Sequence, residues 1–192
     1  MTFKPVHVPC HLYFITATLV GWKPLLREDA YAKIVLNSMD WLRREKRWFL
    51  FAFCLMPTHL HAIVKPMVER TISQVIQNFG SFTAHEILKH LESERRNELV
   101  EFFHQAQTHP QKEHRIWQKI QAQNIYSENF LKQKLEYIHN NPVSKKWMLA
   151  DERANYRYSS AGYYDRGEKP MIEIDDVWEY FEKSEETTRG RV

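Results

Sequence analysis

The stretch Trp48 to Pro66, WFLFAFCLMPTHLHAIVKP, is two apolar runs meeting at Met56-Pro57-Thr58. Its second run, Thr58 to Val64, alternates and ends on β-branched residues, the pattern of a strand. Side chains two apart on a strand share a face, so His59 and His61 project together while Leu60, Ala62 and Val64 face the other way into a core. Two imidazoles on one strand, about 6–7 Å apart at Cα, can converge on one divalent ion. The other reading is a pair of histidines hydrogen-bonded on a half-buried sheet face. In either case a polar residue inside an apolar strand requires a partner.

With 192 residues, 43% hydrophobic and 14% aromatic, the chain can bury a sizeable core in one domain. No run approaches the roughly 18 apolar residues of a membrane span, and Met1 to Pro5 lacks the apolar core of a signal peptide, so a cytoplasmic protein is expected. Cys10 and Cys54 each lie in an apolar run, which suits two buried reduced thiols better than a disulfide. The formal charge of +3 conceals an asymmetry. Glu173 to Glu186 carries seven acids and one lysine, which leaves residues 1–172 near +7. Basic clusters at Arg43-Arg44, Lys46-Arg47, Arg95-Arg96, Lys112 to Lys119, Lys132-Lys134 and Lys145-Lys146, with aromatics between them, are compatible with a polyanion. They are equally compatible with an ordinary solvated surface.

Working outward, His11 to Val20 alternates as a first strand, and Asp29 to Arg44 has Tyr31, Ile34, Val35, Met39 and Leu42 at helical spacing. The turn at Pro57-Thr58 folds the two central runs into antiparallel neighbours. Thr71 to Leu91 predicts a long amphipathic helix with Gly80 as its weak point, and Glu92 to His114 extends it or adds a short helix before a loop at Thr108 to Gln111. His104, His109 and His114 show no ligand spacing and read as exposed. Arg115 to Tyr126 has a strand-like start and end, Ser127 is an N-cap for a helix over Glu128 to Asn140, and Pro142 stops that helix by pushing Asn141 out of the helical region. The order is that of an α+β fold with an antiparallel sheet. On the last helix Leu131, Leu135 and Ile138 form the core stripe, and Lys134, Tyr137 and Asn141 form the stripe beside it. By itself such a tyrosine reads as a flanking residue with its hydroxyl in water.

HLYFIT, CLMPTHLHAIV, FGSFTAHEI, RIWQ, YSENFLKQKLEYIHNNPV and YRYSSAGYY, in this order, resemble the single-tyrosine HUH transposases, specifically the REP-associated tyrosine transposase group of the IS200-like family. The resemblance covers residues 5–165 as one transposase domain and leaves 166–192 as an acidic C-terminal extension. It implies a ferredoxin-like palm with His59-Leu60-His61 on its central strand, a divalent Mg²⁺ or Mn²⁺, and Tyr137 as nucleophile. The third metal ligand one turn beyond the tyrosine maps to Asn141, with Asn140 as the fallback. The implied substrate is single-stranded DNA near a hairpin, cut to leave a 5′-phosphotyrosine and a free 3′-hydroxyl by a monomer or homodimer. Arg115, Lys119, Lys134, Lys145 and Lys146 are the candidate DNA contacts. Relatives often carry a basic residue where this chain has Gly80, and residues 93–113 are less regular than the family pattern. In the extension, Val177 to Phe181 can form an amphipathic turn docked on the body; an acidic tail shielding the basic face is the alternative.

The chemistry is coherent without the resemblance. A phenol of ordinary acidity is mostly protonated at neutral pH, but it can attack a phosphate whose developing charge is stabilised by a metal. The phosphodiester formed stores the energy of the cut bond for rejoining. Two readings of other classes remain: a non-catalytic or domesticated single-stranded nucleic-acid-binding protein that works by stacking, and a zinc hydrolase, for which a carboxylate or third histidine is missing.

Overall fold

The computed structural model describes residues 11–67, 69–106 and 115–179. Four strands, β1 (Leu12–Thr18), β2 (Trp48–Met56), β3 (His59–Pro66) and β4 (Gln121–Ile125), form one sheet in the order β2-β3-β1-β4, and every neighbouring pair is antiparallel. Helices α1 (Asp29–Arg44), α2 (Ile72–Ser93), α3 (Asn97–Gln105), α4 (Glu128–Asn140) and α5 (Ala161–Arg166) complete the chain. The order and connectivity are those of the expected ferredoxin-like palm.

Alternation along the strands builds two cores. Tyr13, Ile15 and Ala17 of β1 join Leu60, Ala62 and Val64 of β3 against α1 and α2, while Leu12, Phe14, Cys54 and Ile63 face Leu131, Leu135 and Ile138 of α4. The sheet is therefore the middle of three layers, and the predicted core stripe of α4 is the one buried. Thr71 and Gln74 form a capping box at the start of α2, and the Ser127 hydroxyl accepts from the Phe130 amide at the start of α4. A register shift between Leu50 and Ala52 inserts Phe51 into β2 as a bulge, whose carbonyl accepts the Tyr164 hydroxyl at 2.9 Å.

The central hairpin turns within two residues, since Met56 pairs with His59. This turn is buried, and its carbonyls are satisfied from elsewhere: Leu26 N donates to Pro57 O at 3.0 Å and Leu19 N to Thr58 O at 2.9 Å. The outer edge of β2 is closed by the segment YRYSS. Cys54 bridges Ser159, Leu55 N donates to Tyr158 O at 2.8 Å, and Ser160 N donates to Phe53 O at 3.0 Å. The Ser160 hydroxyl also meets His139 Nε2 of α4 at 2.9 Å. The two C-terminal motifs thus contact each other and anchor α4 to the sheet edge.

Several expectations change. The start of Arg115 to Tyr126 is not a strand; Trp117 makes a single bridge to Leu19 and pairing resumes at Gln121. The indole of Trp117 instead turns inward and donates to Thr83 Oγ1 at 2.9 Å. Of the two alternatives for the residues after α2, the short second helix is the one formed: Arg95 adopts a positive φ of 57° and breaks the ladder before α3. His104 is half-buried rather than exposed, since α3 packs its neighbour Phe103 into the core; His109, His114 and the predicted loop at Thr108 lie outside the described residues. Gly80 does not interrupt α2, and a Cβ there would sit 2.9 Å from Ile120 Cδ1, so the missing side chain makes room for Ile120. Cys54 is buried and free, and Cys10 lies outside the described residues. In the acidic stretch Asp175 takes the Leu50 amide at 2.9 Å, and Val177 is buried at the head of a helical turn over 177–179, as the docking expectation required; Tyr180 and Phe181 lie outside the described residues.

Candidate active site

A cavity of about 890 Å³ opens between α4 and the sheet face carrying Phe14, Thr16, Thr18, His59 and His61. On β3 the period of two sets both histidines on this face, with 6% and 4% of their surfaces exposed and ring centroids 4.8 Å apart. Each Nδ1 is occupied. His59 Nδ1 meets Thr58 Oγ1 at 2.9 Å, and His61 Nδ1 meets Thr16 Oγ1 at 3.0 Å. A threonine oxygen that accepts from Nδ1–H leaves the Nε2 lone pair for a cation, the arrangement that orients metal-ligating histidines.

From α4 the stripe Lys134, Tyr137 and Asn141 enters the same cavity. Tyr137 has 52% of its surface exposed and its ring lies against His61 at 5.2 Å and Phe14 at 6.0 Å. Among the described residues no hydrogen bond holds its hydroxyl. Asn141 Nδ2 stands 3.4 Å from His59 Nε2. Contrary to the expectation from Pro142, Asn141 keeps helical angles, φ −57° and ψ −47°. The steric bias against this is offset because the Ser144 amide and hydroxyl both donate to the Asn141 carbonyl, at 3.2 and 2.8 Å. Asn140 also borders the cavity, but its amide donates to Glu136 at 3.0 Å.

The residues present fit a divalent ion. Two buried imidazoles lining the cavity and an amide one turn past the tyrosine, already within 3.4 Å of His59 Nε2, are groups that can coordinate such an ion, and the buried histidines are held neutral. Burial, with Lys146 adding to it, lowers the pKa of His59 to about 4; burial, with His59 and Lys134, lowers that of His61 to about 3. Among the described residues no cluster of three His, Cys, Asp or Glu exists.

Two of the five candidate DNA contacts line the cavity. Lys134 lies 4.5 Å from the Phe14 ring and 5.8 Å from that of Tyr137, and burial lowers its pKa. Lys146 lies over Trp22 and Trp147 at 5.6 and 5.5 Å. Arg115, Lys119 and Lys145 do not line it; Arg115 donates to the Trp117 carbonyl at 3.3 Å, and Lys119 is exposed beyond Gln118, whose backbone N–H donates to Thr18 O at 2.8 Å. Sequence reasoning missed Thr16, Trp22 and Trp147. Thr16 had a signal in the polar positions of the first strand, but only the register Thr16 to His61 gives it a partner.

The family model described as Transposase IS200 like matches residues 22–141. The chain belongs to the IS200-like transposase family. This transposase-family chain has the fold of the REP-associated tyrosine transposase solved bound to a REP hairpin, with a TM-score of 0.63 and 17% identity over 92% of this chain and 93% of that one. A crystal structure of a Deinococcus radiodurans R1 chain, named for a transposase assignment, aligns at a TM-score of 0.43 and 14% identity over 73% of this chain and 97% of that one, too low to bear on the fold. No curated protein matches significantly. Among the described residues no helix of the family member is long and apolar enough to cross a membrane.

The buried histidines carry a stability consequence. His139 joins His59 and His61, its pKa lowered to about 4 mainly by burial. In the unfolded chain each returns to about 6.5, so below that value the unfolded state binds more protons than the folded one. Stability is therefore full above about pH 6.5 and is lost as pH falls toward 4, by up to about 1.4 kcal/mol per pH unit for each histidine. Urea unfolding of metal-free protein should show a clearly lower midpoint at pH 5 than at pH 7.5; equal midpoints would contradict neutral burial.

Proposed function

We propose that this chain is a single-stranded DNA nickase and strand transferase in which Tyr137 is the nucleophile and His59, His61 and Asn141 hold a divalent Mg²⁺ or Mn²⁺. The observation that carries this reading is the convergence, in one cavity, of Tyr137 beside His61 and of Asn141 at 3.4 Å from His59 Nε2. When bound, the ion supplies charge stabilisation to the non-bridging oxygens of the scissile phosphate. Lys134 and Lys146 bracket the cavity and hold the backbone on either side, with Arg115, Lys119 and Lys145 extending the contact outside it.

Tyr137 Oη forms a bond to phosphorus as the P–O3′ bond breaks. The electron pair of that bond stays on O3′, which takes a proton from water, and the phenolic proton leaves to solvent. The product is a 5′-phosphotyrosine, and attack by another 3′-hydroxyl reverses the step and reseals a strand without an external energy source. The REP hairpin in the structural relative motivates a hairpin-bearing substrate. Incubation with labelled hairpin-bearing single strands and Mg²⁺ or Mn²⁺ should give an adduct that survives denaturation. Binding without any adduct would favour the non-catalytic or domesticated reading, in which the cavity's aromatic and lysine lining holds the strand by stacking and charge.

The third ligand has its own test. Asn141→Ala should weaken metal affinity by about 10-fold or more, the lower end of what supporting residues of metal sites contribute, whereas Asn140→Ala should leave it within about twofold because Asn140 is engaged by Glu136. Metal titration of the two variants by calorimetry decides between them, and the reverse ranking would move the ligand to Asn140.

A further inference from the structure

The cavity has two unlike ends. Ring centroids run from Tyr137 to His61 at 5.2 Å, from His61 to His59 at 4.8 Å, and from His59 to Trp22 and Trp147 at 6.1 and 5.8 Å. The nucleophile thus stands at one end and two indoles at the other, with Lys146 lying over both indoles at 5.6 and 5.5 Å.

The backbone is bent to put these rings there. Trp22 adopts φ 54°, rare for a residue with a side chain, directly after Gly21 at φ 67°. A Cβ on Gly21 would lie 2.6 Å from Phe102 Cζ, so Phe102 closes one side of the turn. Trp22 keeps 55% of its surface exposed although it is among the largest apolar side chains of the protein. Trp147 precedes another left-handed residue, Met148 at φ 42°. Left-handed non-glycine residues cluster at functional sites, and one exposed and one half-buried indole flanking an ammonium suit a stacked base with a neighbouring phosphate.

We infer that Trp22, Trp147 and Lys146 form a subsite that holds the nucleotide on the 5′ side of the scissile phosphate, the one whose 3′-hydroxyl is released. This rests on the function proposed above. In-line displacement places the departing O3′ on the far side of phosphorus from the attacking Tyr137 oxygen, and the far end of this cavity is the indole bracket. The subsite therefore grips the strand that has no covalent link to the protein after cleavage, and keeps its 3′-hydroxyl in place for rejoining.

The test uses full-length chain and hairpin-bearing oligonucleotides carrying 2-aminopurine at each single-stranded position in turn. In the uncleavable Tyr137→Phe background, without metal, stacking should quench the probe immediately 5′ of the cut mapped with the intact chain, and Trp22→Ala should restore its emission while Trp22→Phe retains most of the quench. In the cleavage-competent chain, Trp22→Ala should release the 3′-hydroxyl fragment from the covalent complex roughly 10-fold faster or more, with the tyrosine-linked strand still attached. Trp147→Phe, which preserves packing, should give a smaller shift in the same direction. Quenching confined to positions 3′ of the cut, or fragment release unchanged by Trp22→Ala, overturns the subsite while leaving the adduct and the proposed function intact. Absence of any adduct from the intact chain overturns the function and, with it, the assignment of polarity.

Discussion

Tyr137→Phe should bind hairpin DNA as the intact chain does and form no covalent complex at all. The substitution removes one oxygen from a ring that is half exposed and whose hydroxyl has no hydrogen-bond partner among the described residues, so folding should change by no more than about 0.5 kcal/mol. Without that oxygen no phosphotyrosine can form, and the effect on adduct yield is complete rather than graded. Three of the competing tyrosines have their hydroxyls engaged. The hydroxyl of Tyr156 donates to Leu55 O at 2.8 Å, that of Tyr164 to Phe51 O at 2.9 Å, and that of Tyr158 to Asp29. Tyr126 is exposed but lies against His11, and Tyr163 packs edge-on against Tyr164. A denaturing gel with end-labelled oligonucleotide and peptide mapping of the trapped adduct measure this directly; a DNA-linked peptide lacking Tyr137 would remove the nucleophile assignment.

The second large effect is expected from His59→Ala and His61→Ala. Each deletes one Nε2 from the cavity, and each should lower metal affinity by more than the about 10–100-fold that outer partners of metal ligands contribute. Cleavage should fall with it, while affinity for DNA measured without metal should change little, because that affinity comes from lysines and aromatic surface. His61 is the more telling position. It is held by Thr16 on one side and stacked on Phe14 at 5.2 Å on the other, so its loss also frees the wall against which Tyr137 rests. Undiminished cleavage by both variants at limiting metal would show that the histidine pair is only a hydrogen-bonded feature of the sheet face, the alternative that the alternation of β3 by itself left open.

Local chemistry was readable in the chain wherever one element decides it. The period of two in Thr58 to Val64 put both histidines on one face, the period of 3.6 in α4 put Lys134, Tyr137 and Asn141 on one stripe, and Ser127 marked the start of that helix. These follow from backbone geometry acting over a few residues. What only the tertiary structure decided are the meetings between elements: Thr16 with His61 across 45 positions, Asn141 with His59 across 82, and His139 with Ser160 across 21. Strand register and helix placement set those pairs, and they depend on how whole faces pack. The same holds for the helical angles of Asn141, which local sterics before Pro142 disfavour and two hydrogen bonds from Ser144 restore. Trp22 and Trp147 illustrate the limit most plainly, because two tryptophans 125 positions apart carry no common pattern; only the left-handed turn at Gly21-Trp22 and the turn after α4 bring both to His59.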